Sequence, residues 1–161
     1  MKITSPHFDE GNEIPKKFGY NFNNINPKLE INEIPSQTKS IALIMDDPDA
    51  LDAVGKIWVH WIMCNIIEKT DKNSPKNLII ETGIENSKLH KNNSAILGRN
   101  DFNEMGYGGP APPDKRHTYF FKIYALDKKL SIKEGFSKQD LENEIQNHVI
   151  SKAQLTGTFA P

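Results

Sequence analysis

The chain has 161 residues, a formal net charge of −1 and a single cysteine. That length suits one domain whose core needs no disulfide staples. The near-neutral charge, without any basic cluster interleaved with aromatics, argues against nucleic acid and acidic membrane as partners, and lone Cys64 excludes an internal disulfide and a cysteine-rich zinc site.

The N-terminal segment has no apolar leader, and no apolar run approaches the roughly 18 residues of a membrane span. The expectation is a cytoplasmic protein with no stable membrane insertion, forming a single domain over residues 1–161. Residues 1–40 carry Ile14-Pro15, Asn26-Pro27 and Ile34-Pro35, which break any long element and predict short strands joined by loops. Ser40–Met45 (SIALIM) is a compact apolar run, read as a buried strand, and it stops at Asp46-Asp47-Pro48-Asp49. Pro48 turns Asp47 away from helical geometry, so these acids sit at a strand end.

Ile57–Ile67 reads as a second strand, with Trp58, His60, Ile62 and Cys64 on one face and Val59, Trp61, Met63 and Asn65 on the other. Both faces are apolar, which predicts a strand covered on both sides. Residues 68–77 and 81–95 read as loops. Near the end, Ser137 is an N-cap with Asp140 three residues on, and Leu141, Ile145, His148, Val149 and Ala153 recur at helical spacing. The narrow apolar stripe predicts a helix lying on the outside of a sheet. Leu155–Phe159 reads as a closing strand.

The most informative stretch is Asp101–Asp127. In Gly106-Tyr107-Gly108-Gly109-Pro110-Ala111-Pro112-Pro113, glycines open backbone conformations closed to other residues, while prolines fix φ and remove N–H donors. This is a stiff loop. It enters a strand whose period of two puts His117, Tyr119, Phe121 and Ile123 on one face. A rigid loop meeting a strand end that bears a histidine and a tyrosine is how a small polar pocket is commonly built.

Three segments, in this order and spacing, resemble the phosphatidylethanolamine-binding protein family, and most closely its short prokaryotic branch of Raf kinase inhibitor-like proteins. They are Asp47-Pro48-Asp49-Ala50; Val59-His60-Trp61 with Asn65-Ile66; and Gly106–Pro110 through Pro112-Pro113 to His117, Tyr119 and Tyr124-Ala125-Leu126. The resemblance extends over nearly the whole chain. It implies a mainly β fold of two packed antiparallel sheets with one or two peripheral helices, and an anion-binding pocket at one end. It implies a non-enzymatic binder of a phosphate-type headgroup or phosphorylated side chain, with no cofactor. The partners it implies are a protein kinase or protease, and a homodimer is compatible with it.

The chain departs from the family pattern in four places. Leu51 stands where a proline is usual, Ala111 replaces a common cysteine, and Thr118 replaces the arginine that usually follows the histidine, leaving Arg116 on its other side. The chain as given stops at Pro161, without the C-terminal helix that covers the pocket in animal relatives, which implies a more open pocket.

Carried onto this sequence, the site comprises Asp47, Asp49, Trp58, His60, Gly108, Gly109, Pro110, His117 and Tyr119. The acids are expected to orient and charge the histidines, raising their pKa so that both ring N–H groups donate. Backbone N–H groups at Gly108 and Gly109 and the Tyr119 hydroxyl are expected to add donors. Trp58 and Pro110 are expected as walls. With no Arg or Lys in the set, binding is expected to be modest. Two histidines with two carboxylates are also a metal set, so a metal-dependent hydrolase is the alternative, without any H-E-x-x-H motif behind it.

Overall fold

The computed structural model describes residues 1–66, 77–83 and 95–161. The loops expected at 68–77 and 81–95 lie almost entirely outside the described residues. Two antiparallel sheets are present. The smaller pairs β1 (Lys2–Thr4), β2 (Leu29–Asn32) and β5 (Leu78–Ile80) in the order β1-β2-β5. The larger has the order β6-β4-β3-β7-β8, built from β3 (Ser40–Asp47), β4 (Trp58–Ile66), β6 (Ile96–Leu97), β7 (His117–Leu126) and β8 (Val149–Phe159). The mainly β fold of two packed sheets is thus as expected.

The main core lies between the sheets. Ile3, Leu29, Ile31 and Ile80 on one side meet Leu43, Met45, Trp61, Phe121 and Ile123 on the other. A second core covers the opposite face of β3 and β4. There Ala42, Ile44, Ile62 and Cys64 pack under Leu141 and Ile145 of helix α2 (Lys138–Ile145) and under Leu130 and Phe136. Two covered faces explain why Ser40–Met45 is apolar without alternation: all eight residues of β3 are buried. Each fully buried aliphatic side chain there contributes about 1.5–3 kcal/mol. Strand β7, covered fully on one face only, alternates between buried and half-buried residues. Cys64 is buried in the second core, where burial pushes its thiol up to about 12, so it acts as a small apolar residue.

Three details differ from the sequence reading. First, a five-residue helix α1 (Ala50–Val54) follows the Asp-Pro-Asp corner. Second, α2 ends at Ile145 and β8 begins at Val149, so the helical spacing seen through Val149 and Ala153 does not continue the helix. Asn147 takes a φ of +67° there, and the chain turns back to pair Val149 with Leu126. The helix start is as expected: the Ser137 side chain accepts from the Asp140 N–H, and Asp140 accepts from the Ser137 N–H. Third, the faces of β4 do not run straight through. Met45 pairs with Trp61 but Asp46 pairs with Val59, so His60 is the extra residue of a β-bulge. Beyond it, Trp61 and Met63 face the main core, while Val59, Ile62 and Cys64 share the other face. His60 therefore projects on the side of Tyr119 rather than beside Ile62 and Cys64.

Candidate functional site

The antiparallel pairing decides which residues meet. β3 runs opposite to both β4 and β7, so its last residue, Asp47, arrives beside the first residues of those two strands. Trp58 and His60 enter from β4, and His117 and Tyr119 from β7. The Asp-Pro-Asp corner then folds α1 over the same end, fastened by the Ala50 N–H donating to Asp47 Oδ1 at 3.1 Å.

The Gly/Pro loop closes the other side. Buried Asn100 holds it in shape: Oδ1 accepts from the N–H groups of Phe102 and Glu104 at 3.1 and 3.0 Å, and Nδ2 donates to the Gly106 carbonyl at 3.2 Å. Asp101 ties the loop to β4, accepting from the Val59 N–H at 2.7 Å and pairing with Lys56 at 2.8 Å. The loop and His60 exchange hydrogen bonds: the Gly108 N–H donates to the His60 carbonyl at 2.9 Å, and His60 Nδ1 donates to the Gly108 carbonyl at 2.8 Å. A Cβ on Gly109 would come within 2.1 Å of the Phe18 carbonyl oxygen, so only glycine fits where this loop crosses the N-terminal segment. The Gly109 N–H donates to Asn24 Oδ1 at 2.8 Å, and the Pro110 carbonyl accepts from the Tyr20 N–H at 2.9 Å.

The two histidines are in opposite electrostatic states. His117 is fully buried between carboxylates, with Nδ1 2.7 Å from Asp47 Oδ2 and Nε2 2.9 Å from Asp114 Oδ1. Burial opposes its charge, but the Asp47 and Asp114 carboxylates outweigh burial and hold its pKa above the ordinary value. His60, 2% exposed, is held below the ordinary value by burial. The Gly108 and Gly109 carbonyls and the charges of Asp47 and Asp101 oppose that shift without reversing it. The shift favours the neutral ring, the Gly108 carbonyl requires a proton on Nδ1, and Nε2 has no hydrogen-bond partner among the described residues.

Among these groups lies a cavity of about 220 Å³. Asp47, Trp58 and His60, three of the anticipated residues, line it. Its remaining wall is apolar: Ala50 and Val54 from α1, Phe102, Ala111 and Pro113. Phe102 is fixed by stacking on Tyr20, with ring centroids 3.9 Å apart, and meets Trp58 and His60 edge-on. The indole Nε1 of Trp58 is buried without a partner among the described residues. Larger depressions lie elsewhere, one of about 470 Å³ between residues 131–136 and α2, but no histidine lines it.

Several expected roles need correction. The N–H groups of Gly108 and Gly109 are engaged inside the protein, and so are not donors into the cavity. His117 has both nitrogens committed to carboxylates, and it stands behind Asp47 rather than on the wall. The pKa of His60 is lowered rather than raised, because burial outweighs Asp47. Asp49 faces β7, accepting from the Thr118 N–H at 2.8 Å. Arg116, whose partner the sequence left open, reaches Thr158 and Glu13. Pro110 and Tyr119 are near the site without lining the cavity. The Tyr119 hydroxyl is buried with no hydrogen bond of normal geometry among the described residues; burial first, then Asp47, raises its pKa.

The apolar walls Phe102, Ala111 and Pro113 were not anticipated as contacts, nor was Asp114. The signal for Asp114 was its place three residues before His117, just past Pro113. Among the described residues, no group of three or more His, Cys, Asp or Glu is arranged to hold a metal ion.

Fold and site together define a two-sheet β protein with a small, largely apolar pocket at the end of its larger sheet, walled by a stiff Gly/Pro loop and floored by a histidine and an aspartate. A family profile described as phosphatidylethanolamine-binding protein matches residues 4–160, and the chain belongs to that family. It is similar to a UPF0098 protein of Chlamydia muridarum, 37% identical over 161 residues, covering 99% of this chain and 98% of the relative. A UPF0098 protein of Methanothermobacter thermautotrophicus is 35% identical, over 99% of this chain and 98% of its own. Two solved structures share the fold. One is CT736, a phosphatidylethanolamine-binding protein homologue from Chlamydia trachomatis, with 36% identity, a TM-score of 0.81 and coverage of 98% of this chain and 95% of that one. The other is YbcL of E. coli, described as a member of the mammalian family, with 28% identity, a TM-score of 0.84 and coverage of 98% and 96%. No helix among the described residues is long and apolar enough to cross a membrane.

Proposed function

We propose that this protein is a non-enzymatic binding module whose pocket takes a small phosphate-type group, either a headgroup or a phosphorylated protein side chain. The observation that carries the reading is His60. Its ring is fixed through Nδ1, its Nε2 has no hydrogen-bond partner among the described residues, and it lines a cavity of about 220 Å³ together with Trp58, whose buried indole N–H is likewise unpartnered among them. Polar groups buried without partners are uncommon in folded proteins, and their concentration at one cavity favours a ligand there. The apolar walls favour a ligand whose ionic end enters while carbon atoms follow. The absence of Lys or Arg from the lining keeps affinity modest. A regulatory role toward a kinase or protease fits the same pocket if the phosphate belongs to the partner.

The test is titration of the parent and of His60→Ala with inorganic phosphate and phosphoethanolamine, following the histidine ring NMR signals. Saturable shifts at His60 in the parent and their loss in the variant are expected. Equal binding by the two proteins would abandon the site.

A further inference from the structure

Resting on that reading, we propose that the pocket binds its ligand with one proton shared between a ligand oxygen and His60 Nε2, and so selects phosphomonoesters, which carry a titratable proton near neutrality, over phosphodiesters and sulfate, which do not.

The cavity wall holds one carboxylate, Asp47, and no Lys or Arg. Every charged or titratable group that faces His60 comes from a known element. β3 contributes Asp47, the loop contributes Asp101, and β7 contributes Tyr119 in ring contact, with His117 behind Asp47. Of these, Asp101 is paired with Lys56 outside the cavity. His117 holds its positive charge, but that charge is turned to Asp47 and Asp114 by two hydrogen bonds. Among the described residues, no unpaired cation lines the cavity.

An anionic oxygen placed against a neutral imidazole nitrogen meets two lone pairs facing one another. That contact becomes favourable only with a proton between them. Nδ1 cannot supply it, because its hydrogen is held on the Gly108 carbonyl at 2.8 Å. The proton must arrive on the ligand or be taken from water onto Nε2. A phosphomonoester brings its own, since its second ionisation lies at a pKa of about 6. A phosphodiester or sulfate has none to bring near neutrality, and its binding must charge a histidine that burial holds neutral. No bond is broken in either case; one proton moves along one hydrogen bond.

The experiment is calorimetric titration of the parent with methyl phosphate, dimethyl phosphate, inorganic phosphate and sulfate, at pH 5–8, in buffers of differing ionisation enthalpy. The dependence of heat on buffer counts the protons taken up. For methyl phosphate the uptake is expected to approach one at pH 8 and to diminish as pH falls through the ligand's own second ionisation near 6, with affinity falling about tenfold per pH unit above it. Dimethyl phosphate and sulfate are expected to bind more weakly at neutral pH and to keep tightening below pH 6.

A second arm uses His60→Gln, which offers an amide near the Nε2 position but cannot titrate. It is expected to bind phosphate and sulfate alike and to lose the proton uptake. Uptake that persists in His60→Gln assigns the proton to another group and overturns the proposal. So does methyl phosphate binding at pH 8 without proton uptake, a result the parent alone can give if the variant fails to fold. Silence from all four ligands across the pH range removes the anion-pocket reading itself, and with it this one. Phosphate binding without proton linkage removes only this one.

Discussion

His117 and Asp47 form a buried ion pair, Nδ1 to Oδ2 at 2.7 Å, at the point where β3 and β7 end side by side. It fixes the site's architecture, because Asp47 also holds the start of α1 through the Ala50 N–H. It also gives stability a pH dependence whose sign follows from the two histidines. His117 has a raised pKa in the folded state, so its contribution is complete below the unfolded value of 6.5 and is lost as pH rises through the folded value. His60 has a lowered pKa, so its contribution is complete above 6.5 and is lost as pH falls and the unfolded chain takes up the proton. His7, also lowered, slopes in the same sense as His60. Urea unfolding is therefore predicted to show declining stability on both sides of the region near pH 6.5. His117→Gln should flatten the alkaline slope and His60→Gln part of the acid slope. Unchanged slopes in both variants would refute the assignment.

A second prediction concerns Asp46, the neighbour of Asp47 on the opposite face of β3. It is fully buried and pairs with Lys122 at 2.7 Å and Lys138 at 2.6 Å, joining β7 and α2 to the sheet. The lysine side chains keep 27% and 21% exposure, so they can reach water if the carboxylate is removed, whereas the carboxylate alone cannot. Replacing both lysines with methionine is predicted to cost about 3–5 kcal/mol. Asp46→Asn should cost less. Chemical denaturation of the two variants orders them, and the reverse order would defeat the argument.

Asn100 offers a third. Its side chain satisfies three buried or part-buried backbone groups of the loop that carries Phe102. Asn100→Ala is predicted to destabilise the protein by about 2 kcal/mol, since groups left unsatisfied carry their desolvation cost. Phe102 should also be released from its position over the cavity. The first effect is read by thermal unfolding and the second by loss of ring-current shifts on Tyr20 and Trp58. A variant with parent-like stability and spectra would show that the loop holds its shape without Asn100.

The fourth is Gly109→Ala. Its new methyl would collide with the backbone of residues 18–20, which cannot move aside as a flexible side chain would. The expected cost is about 1–3 kcal/mol, with weaker ligand binding because Pro110 to Pro113 shift together. Denaturation with a phosphate titration checks both, and a neutral substitution would mean that the two segments are not held against each other in solution.

The strands were legible wherever burial imposed a simple pattern. Apolar Ser40–Met45 announced a strand covered on both faces, and Tyr119, Phe121 and Ile123 announced one inner face. The Ser137–Asp140 capping box was equally readable, because it is local. What failed was governed by distant partners. Val149 and Ala153 fit a helical stripe, but pairing with β7 made them strand. The alternation through Ile57–Ile67 was read without a slip, because a bulge is visible only against the neighbouring strand. The local sequence leaves the glycine N–H groups available, whereas Asn24, 85 residues away, holds one of them. The charge state of His60 followed from burial, which no local motif reports.

That slip in β4 has a consequence for how such a site originates. Take His60 out, and Val59 would follow directly into Trp61, opposite Asp46 and Met45, with no slip at that point of the ladder. The histidine of the pocket thus occupies a position that sheet pairing skips, one of two register shifts between β3 and β4, the other lying between Ile41 and Leu43. One extra residue therefore separates a plain paired segment from one that turns an imidazole toward the cavity lined by Asp47 and Trp58, while Val59 and Trp61 keep their partners on β3.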